Sequence, residues 1–412
     1  MSNLPRLLIV SEATLSLNGK GVNRTLANLF DNYPSDRLMI FAPAEQMRNE
    51  PTAPQWQQQS CSFREHYISP LRNRFGFLVK SFINFINLQL LDWLPIPNKV
   101  KIAKFAPEAI LICPITPLCL LMGWKISKQF QCPFLIYFMD DWVADDNTRW
   151  LSGSVQNVTA QLLRNSTGWL MISEQLQESL VSRYQVTPKN SIIVHNPVEL
   201  LEQYAPDFNV IEGEPFRVVY AGSIWQMHYD AVAVMAEAIF QLRTEGKAIE
   251  LILHTDQSFW DWYKEKWELW QVTNGDFIPY EKLNNALIKA DLLLVASSFL
   301  PDYYHMTQCS VQTKITDYMA SGRPILSCGP TYSACNQFVK KWNCGLVCET
   351  NNVSEVKLFV AELMENRDKN QRYAKVAYDV LKQNFEKNKV SSELYQWISK
   401  TTLKTSKEIT RI

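Results

Sequence analysis

The sequence has no excess of charge of either sign, because its 41 Lys and Arg residues are matched by 41 Asp and Glu residues among 412. A chain with zero net charge produces no overall field that would draw it to nucleic acid or to an acidic membrane. We therefore expect no nucleic-acid partner. Any attraction to an anionic surface has to come from a local patch.

Long apolar segments are also absent. The longest uncharged apolar region, residues 109–124, is shorter than a membrane span and contains Pro114 and Pro117. The first residues lack the apolar segment and cleavage site of a signal peptide. The sequence therefore predicts a cytoplasmic protein without a transmembrane helix.

Cysteine and histidine form no recognisable metal-binding pattern. Nine cysteines are scattered without a C-x-x-C pair, and there are only five histidines. This spacing is typical of buried thiols in a reducing compartment and not of zinc sites or disulfides. We expect neither a metal site nor a bound cofactor.

The length of the chain and its apolar runs indicate two α/β domains. A chain of 412 residues exceeds what one hydrophobic core normally organises. Residues 107–113 and 134–139 are apolar runs, as expected for parallel strands covered by helices on both faces. The predicted parts are an N-terminal domain, a polar linker, a C-terminal domain and a terminal helix, at 1–203, 204–215, 216–385 and 386–412.

The stretch Ser310–Leu326 combines a helix, a sharp stop and a strand. Gly322 is expected to end the helix, and Pro324 prevents its continuation. The residues at helical spacing that are predicted to face the core are Val311, Ile315, Tyr318 and Met319.

Polar residues gather at the start of this helix. Ser310 is a plausible N-cap, and Thr313, Lys314 and Asp317 occupy the first turns. Unpaired backbone N–H groups at a helix start attract phosphate, a Lys adds charge, and a carboxylate one turn later accepts hydrogen bonds from sugar hydroxyls. The pattern predicts a site for a sugar nucleotide, although an ordinary amphipathic helix before a buried strand fits the same residues.

These residues resemble the signature S-x-P-x-K-x-x-E-Y-x-A-x-G-[KR]-P of the family 4-like retaining glycosyltransferases. That family has the GT-B fold, two facing Rossmann-like domains with parallel sheets and an interdomain cleft. The resemblance implies that Asp317, in place of the family's Glu, binds the donor ribose, and that the helix start faces the diphosphate. Cys309 stands where a commoner version of the motif has a Glu that contacts the donor sugar. The terminal helix 386–412 is expected to return to the N-terminal domain.

The resemblance implies further donor-binding residues in the C-terminal half. Gly222 and Ser223 follow the strand that opens the second domain, where the family commonly holds the diphosphate with an Arg and a Lys. Ser223 and His228 occupy those places here, and the amides of the glycine turn are expected to contribute. The backbone around Ile278 and Tyr280 is expected to meet the nucleobase.

A glycine loop follows the first strand and contains Gly19 and Gly21. It resembles the loop of the family that lets the backbone approach donor phosphates and acceptor, and Arg24 would contact a phosphate or the acceptor. The alternatives are a simple turn and a surface arginine. The two glycines do not complete a dinucleotide fingerprint.

Asp140 and Asp141 follow an apolar strand, at the edge where ligands of open α/β sheets bind. We expect one of them to orient acceptor hydroxyls; the alternative is that they cap the following loop. A metal-binding D-x-D motif fits poorly because the two residues are adjacent and no third ligand is near.

Residues Phe63–Phe105 contain seven basic residues and two acidic ones. The apolar residues at helical spacing are Phe75, Leu78, Val79, Phe82 and Ile86. Such a helix can lie on an anionic membrane surface, which would place the protein peripherally at the inner membrane face. It can equally pack its apolar face on the domain core.

A second stripe consists of the aromatic residues Trp260, Tyr263, Trp267 and Trp270, spaced along one predicted helix. Aromatic faces can stack on sugars, but packing within the domain is the favoured interpretation.

The resemblance implies a retaining, metal-independent glycosyltransferase that acts in polysaccharide or glycoconjugate synthesis. The donor would be a nucleotide diphosphate sugar and the acceptor a saccharide or a lipid-linked molecule. The residues expected to carry catalysis are Asp140, Asp141 and Lys314. Two alternatives remain: a catalytically idle GT-B scaffold that binds a nucleotide or glycan, and a nucleotide-sugar epimerase.

Overall fold

The computed structural model describes the chain apart from residues 1–3, 17, 18, 20, 65–81, 84, 85, 87, 88, 91, 92, 145–151, 201–205, 207, 214 and 410–412. The chain divides into two compact units. Unit 1 comprises Met1–His195 and Val390–Ile412, and unit 2 comprises Asn196–Lys389. The segment predicted as a linker, 204–215, lies within the range of unit 2.

The described part of unit 1 contains a seven-stranded parallel sheet in the order β3-β2-β1-β4-β5-β6-β7. All residues of β1, β4 and β5 are buried, as a sheet covered on both faces requires. The strand order reverses between β1 and β4. The strands are β1 Leu7–Ser11, β2 Leu38–Pro43, β3 Cys61–Phe63, β4 Ala109–Cys113, β5 Phe134–Phe138, β6 Gly168–Met171 and β7 Ser191–Ile193.

Local sequence signals place the helices around this sheet. Thr116 caps one helix by accepting a hydrogen bond from Leu118 N, and Ser173 caps another through Leu176 N. The helices are α1 Val22–Phe30, α2 Ala44–Asn49, α3 Pro54–Gln57, α4 Lys99–Phe105, α5 Pro117–Phe130, α6 Ser152–Asn165 and α7 Glu174–Tyr184.

The final helix of the chain also packs in unit 1 from Val390 onward. The Tyr395 hydroxyl donates to Leu29 O at 2.8 Å, and its ring lies 5.0 Å from that of Tyr33. Leu394 and Ile398 are buried in the same core as α1.

The second sheet is also parallel, with the order β10-β9-β8-β11-β12-β13. Its order reverses between β8 and β11, so the loops after these strands border a topological switch point, where open α/β sheets bind ligands. The strands are β8 Phe216–Ala221, β9 Ile249–His254, β10 Thr273–Asn274, β11 Leu292–Ala296, β12 Ile325–Cys328 and β13 Leu346–Cys348.

The main core of unit 2 lies between this sheet and the long helices that begin at Gln226 and Val353. The helices, continuing the numbering, are α8 Gln226–Thr244, α9 Gln257–Trp262, α10 Lys264–Leu269, α11 Tyr280–Leu287, α12 Tyr304–Cys309, α13 Lys314–Ser321, α14 Ala334–Trp342, α15 Val353–Glu365, α16 Arg367–Asn384 and α17 Lys387–Ile409, of which the last crosses into unit 1.

The fold confirms the predicted pair of parallel-sheet α/β domains and the stop at Gly322. That residue ends α13 with φ +74°, in the left-handed region that glycine enters without steric cost. Ile315, Tyr318 and Met319 are fully buried, as their spacing predicts.

The aromatic stripe is confirmed as part of the packing of unit 2, but the prediction of a single helix was wrong. Trp260 and Trp267 are buried in the core, with Tyr263 and Trp270 packed against it. The helix is interrupted at Tyr263, whose ring stacks on Tyr229 with centroids 3.7 Å apart.

Within the described ranges, no helix combines the length and the apolar character needed to cross a membrane. Most of the predicted basic amphipathic helix, including Phe75, Leu78 and Val79, falls outside the residues that the structure describes. Its membrane contact stays a prediction.

Candidate functional site

The turn after β8 has a backbone conformation at position 222 that favours glycine. Gly222 has φ +135°, and its N–H donates to His254 O at 2.9 Å. A Cβ atom at this position would lie 2.8 Å from the Nζ atom of Lys314. The absence of a side chain therefore lets the amine of Lys314 reach the backbone of the turn.

Lys314 begins α13, and its amine is an isolated polar group. The Nζ atom is buried, and no described residue accepts a hydrogen bond from it. It lies 3.6 Å from the centroid of the Tyr220 ring. Burial lowers the pKa of this amine from its usual value to about 7. A buried ammonium without a partner is unstable, so an anion placed beside it would be bound strongly.

His228 lies on the first turns of α8, close to the same amine. Its Nδ1 atom is 3.0 Å from Ser223 O, and since a carbonyl only accepts, Nδ1 carries the proton. Burial, and after it the charge of Lys314, lowers the pKa of His228 to about 3. The imidazole is therefore neutral at physiological pH and fixes the turn without adding charge.

Asp317 lies one turn into α13 and is partly buried. Its Oδ1 atom accepts a hydrogen bond from the Tyr280 hydroxyl at 2.9 Å. Tyr280 begins α11, so this bond ties two helices of unit 2 together at their N-terminal turns. A carboxylate held in this way keeps acceptor capacity for further hydroxyl groups.

Ile278 lies on the wall of a cavity of about 810 Å³ in unit 2. Its lining is mostly apolar, with a few polar side chains, as is common in small-molecule sites. The other lining residues are Ile211, Arg217, Val219, Ile252, His254, Lys282, Asn285, Ala286, Ile288 and Lys289.

The expectation that Ser310 caps the helix was wrong. Ser310 ends the preceding helix α12, and α13 starts four residues later, after Thr313. The intervening backbone is irregular because Gln312 is tied elsewhere, its side chain donating to Ala296 O at 2.6 Å. Thr313 makes no side-chain cap, and its carbonyl accepts a hydrogen bond from Asn196 at 3.2 Å.

Asp140 and Asp141 follow β5 in unit 1, but their surroundings differ. Asp141 is 1% exposed, and its carboxylate accepts hydrogen bonds from Arg183 at 2.8 and 2.5 Å and from Ser179 at 3.2 Å. Such a doubly bonded, buried pair fixes the loop to α7. Asp140 is only partly buried, and its predicted contact with an acceptor remains a prediction.

Gly21 and Arg24 stand at the start of α1 in the same unit. Gly21 has φ +52° and occupies the N-cap position of the helix. Arg24 is partly buried on the first turn. Their phosphate or acceptor contacts stay predictions.

Glu12, at the carboxyl edge of the sheet in unit 1, is a residue that the sequence analysis did not single out. It follows β1 at the switch point of unit 1, and its carboxylate accepts from Ile115 N at 2.8 Å, from Cys119 N at 3.2 Å and from the Thr116 hydroxyl. Burial raises its pKa. An acidic residue directly after an apolar strand was the available signal, and its observed contacts make it a cap of α5.

Among the described residues, no group of three or more His, Cys, Asp or Glu side chains is arranged to hold a metal ion.

Residues 215–366 match the family model described as "Glycosyl transferases group 1". The matched segment lies in unit 2, covers less than half of the chain, and includes Gly222, Lys314 and Asp317. No curated protein matches the chain significantly in sequence.

Nearly the whole chain is similar to several solved structures. HepE from Anabaena in complex with UDP is 13% identical, with a TM-score of 0.68 over 96% of this chain and 99% of HepE. Sucrose-phosphate synthase from Thermosynechococcus elongatus is 15% identical, with a TM-score of 0.69 over 95% and 97%. WaaG, a glycosyltransferase involved in lipopolysaccharide biosynthesis, is 11% identical, with a TM-score of 0.60 over 95% and 99%. The fold is GT-B.

In this GT-B chain several of the residues predicted to bind the donor come together in two groups within unit 2. Gly222 and His228 lie close to the amine of Lys314, and His228 donates to Ser223 O. Tyr280 and Asp317 share a hydrogen bond. The sequence separates these residues widely. Ser310 is 8% exposed, so its side chain has little surface to offer a ligand.

Proposed function

We propose that this chain is a glycosyltransferase that moves a sugar from a nucleotide diphosphate sugar to a saccharide or lipid-linked acceptor. The observation that carries the proposal is the buried amine of Lys314, without a described partner, against the Gly222 turn. A diphosphate supplies the negative charge that this amine lacks. The match of residues 215–366 to group 1 glycosyl transferases supports the same assignment.

The donor would use each of the groups found in unit 2. Its diphosphate would contact Lys314 and the amide of Ser223, at the close approach that Gly222 allows, since the Gly222 N–H is already bonded to His254 O. Its ribose hydroxyls would donate to Asp317. The cavity beside Ile278 offers apolar space for the base. HepE, which shares the fold, has been solved in complexes with UDP and with UDP-glucose, and on that ground we propose UDP as the nucleotide part of the donor.

The chemistry would be stabilisation of a leaving diphosphate. The bond between the anomeric carbon and the phosphate oxygen breaks, and a new bond forms from that carbon to the acceptor oxygen. The acceptor proton passes to an oxygen of the leaving phosphate, so no separate general base is required. Lys314 would stabilise the charge that develops on the phosphate. We propose retention of the anomeric configuration and a transfer that needs no metal ion and no cofactor.

Acceptor binding is assigned to unit 1. Asp140 follows β5 at the carboxyl edge of the sheet and would orient an acceptor hydroxyl, while Asp141 holds the loop through Arg183. Arg24, after the turn at Gly21, would contact acceptor or phosphate. The pathway we propose is polysaccharide or glycoconjugate synthesis.

A lipid-linked acceptor would require contact with a membrane surface. We propose that Phe63–Phe105, with its excess of basic residues, supplies peripheral attachment at the inner membrane face. Each Lys or Arg near an anionic surface contributes about 1 kcal/mol. Sedimentation with vesicles containing anionic lipid should show binding at low salt that is lost at high salt. Unchanged binding after Arg72, Arg74 and Lys80 are all replaced by Gln would contradict this attachment.

The function itself is tested by incubating the protein with a panel of labelled nucleotide sugars. We expect slow hydrolysis of one donor, unaffected by a chelator and abolished in Lys314→Met. Nuclear magnetic resonance of the released sugar at early times reports whether the configuration is retained. Binding of UDP without turnover of any donor, with or without added saccharide acceptors, would reject catalysis.

Burial of Cys309 favours the alternative that the protein binds a nucleotide or glycan without catalysing transfer. This residue stands where the family motif places a Glu that contacts donor sugar, and it is fully buried. A GT-B scaffold that binds a nucleotide or glycan without transfer would show UDP affinity and no turnover. A nucleotide-sugar epimerase would instead convert the donor in the absence of any acceptor.

A further inference from the structure

Five tyrosines gather around the carboxyl edge of the sheet in unit 2, on the side of α8. They are carried by segments that follow four neighbouring strands, β9, β8, β11 and β12. We call them the tyrosine cluster: Tyr229, Tyr263, Tyr303, Tyr304 and Tyr332.

Ring contacts pair four of these tyrosines, and Tyr303 lies close enough to Tyr263 to contribute, after burial, to the raised pKa of that hydroxyl. Tyr229 stacks on Tyr263 at 3.7 Å, and Tyr304 packs on Tyr332 at 4.7 Å. The Tyr303 hydroxyl donates to Gln226 Oε1 at 2.6 Å, which fixes its ring over the start of α8. Tyr304 is 39% exposed and the other four are partly buried, so ring surface remains open to solvent.

Asp230 lies beside this cluster with half of its carboxylate unused. Its Oδ2 atom accepts a hydrogen bond from Phe299 N at 2.7 Å, which holds the loop after β11. Its Oδ1 atom is buried and accepts no hydrogen bond from any residue in the described part of the chain. Burial first, and then the charges of Asp302 and Asp230, raises the pKa of Tyr303, which shows that Asp230 is near that hydroxyl. The pKa of Tyr332 is also raised, first by burial and then by the charges of Tyr304 and Asp230, so Asp230 lies near this hydroxyl too.

We propose that the tyrosine cluster and Asp230 form a second carbohydrate-binding site, which takes a neutral saccharide. A sugar ring presents a face of C–H groups that packs on aromatic rings, and hydroxyl groups that donate to a carboxylate. The free Oδ1 atom needs a donor of this kind. A phosphate or a carboxylate ligand is disfavoured because Asp230 would repel it.

The position of this site suggests its use, and this part rests on the proposed function. Tyr229 and Asp230 directly follow His228 on α8, whose ring contacts the Ser223 carbonyl beside Lys314. The site therefore adjoins the proposed diphosphate site within one unit. A glycan chain held there by the tyrosine cluster would stay close to the donor between transfers.

Saturation-transfer difference spectra of the full chain test this proposal. The probes are the methyl glycosides of glucose, galactose, mannose and rhamnose, together with N-acetylglucosamine and short dextran oligomers. We expect transfer to the ring protons of at least one probe, and we expect the signal to persist when UDP is added.

Asp230→Asn keeps an oxygen for Phe299 N but replaces the free acceptor by a donor, so affinity should fall about tenfold, the effect of one lost charge-assisted bond. Tyr303→Ala should abolish the signal.

Tyr373→Ala is the matched control, because Tyr373 is a partly buried tyrosine of unit 2 on α16, outside the cluster. It should leave the spectra unchanged. The proposal is overturned if no probe receives saturation from the native protein, or if folded Asp230→Asn and Tyr303→Ala retain the native signal. UDP titration of the same samples separates the two proposals, since loss of UDP binding alone would reject the donor site and not the saccharide site.

Discussion

The amine of Lys314 occupies the space that a side chain at position 222 would need. A Cβ atom on Gly222 would lie 2.8 Å from Lys314 Nζ and 3.2 Å from its Cε atom. The amine is thereby brought to a backbone turn at the switch point of the second sheet, with the Tyr220 ring on its other side. We expect the two residues to act as one anion-binding feature, because the turn at Gly222 has no side chain and leaves room for the Lys314 amine beside the backbone.

Gly222→Ala should damage this feature without touching Lys314 itself. The φ of +135° costs a residue with a side chain about 1–3 kcal/mol, and the added methyl group displaces the amine. We expect a lower melting temperature and UDP binding weakened about tenfold, measured by calorimetry at a temperature where the variant is folded. Gly213→Ala is a control for backbone strain, since Gly213 also has a positive φ but a Cβ there would meet nothing within 4 Å. Equal UDP affinity in Gly222→Ala and the native protein would show that the turn at Gly222 does not contribute to donor binding.

Lys314→Met should remove donor binding while making the protein more stable. Because burial lowers the pKa of Lys314 from 10.5 to about 7, the unfolded chain binds more protons than the native one between these values. The native amine therefore costs stability, most below pH 7 and progressively less as the pH rises toward 10.5. Thermal unfolding at pH 7 should show a higher melting temperature for Lys314→Met, with UDP affinity reduced about 10- to 100-fold. A variant that loses stability as well as binding would indicate a structural role.

The pH dependence of UDP binding follows from the same amine. Near pH 7 about half of the free protein carries Lys314 in the ammonium form. At higher pH the amine is mostly neutral, so Lys314 has to take up a proton when the diphosphate binds. Apparent affinity should fall by up to about tenfold per pH unit above 7, until the pKa of the bound form is reached. Calorimetry in two buffers of different ionisation enthalpy would detect the proton uptake. Lys314→Met should remove both the slope and the uptake.

Asp317→Asn should weaken binding of the nucleoside part of the donor. Loss of charge-assisted hydrogen bonds to the ribose costs about 1.5–3 kcal/mol. Uridine and UDP should both lose affinity, whereas inorganic diphosphate should not. Tyr280→Phe is the comparison, because it removes only the hydroxyl that donates to Asp317 and leaves the carboxylate in place. Unchanged uridine affinity in folded Asp317→Asn would assign the ribose contact elsewhere.

Asp140 and Asp141 should respond differently to the same replacement. Asp141→Asn breaks a paired carboxylate, and its cost should stay below the about 3–5 kcal/mol of a fully buried pair, because the Arg183 side chain is 23% exposed. Asp140→Asn should lower turnover with little change in melting temperature. Turnover and thermal unfolding measured on both variants check this division. A large loss of stability in Asp140→Asn would give it, too, a structural role.

Local patterns were sufficient to predict the fold class and parts of the site helix. The apolar runs of β4 and β5 have no polar alternation, which fits only strands covered on both faces. Ile315 and Tyr318 face the core because helical periodicity fixes their side, and Gly322 ends the helix through its own conformational freedom. Ser310 was misassigned because Gln312 bonds to β11, a contact that local sequence does not reveal.

The sequence by itself determined which elements form, because periodicity, caps and glycine stops act within a few residues. Only the tertiary structure decided which polar groups meet. Tyr280 and Asp317 are 37 residues apart, and Asp141 and Arg183 are 42 apart. Gly222 and Lys314 are more distant still. Parallel strands with helical crossovers return the chain to the same sheet edge after each strand, so contacts at that edge depend on strand order and not on distance along the chain.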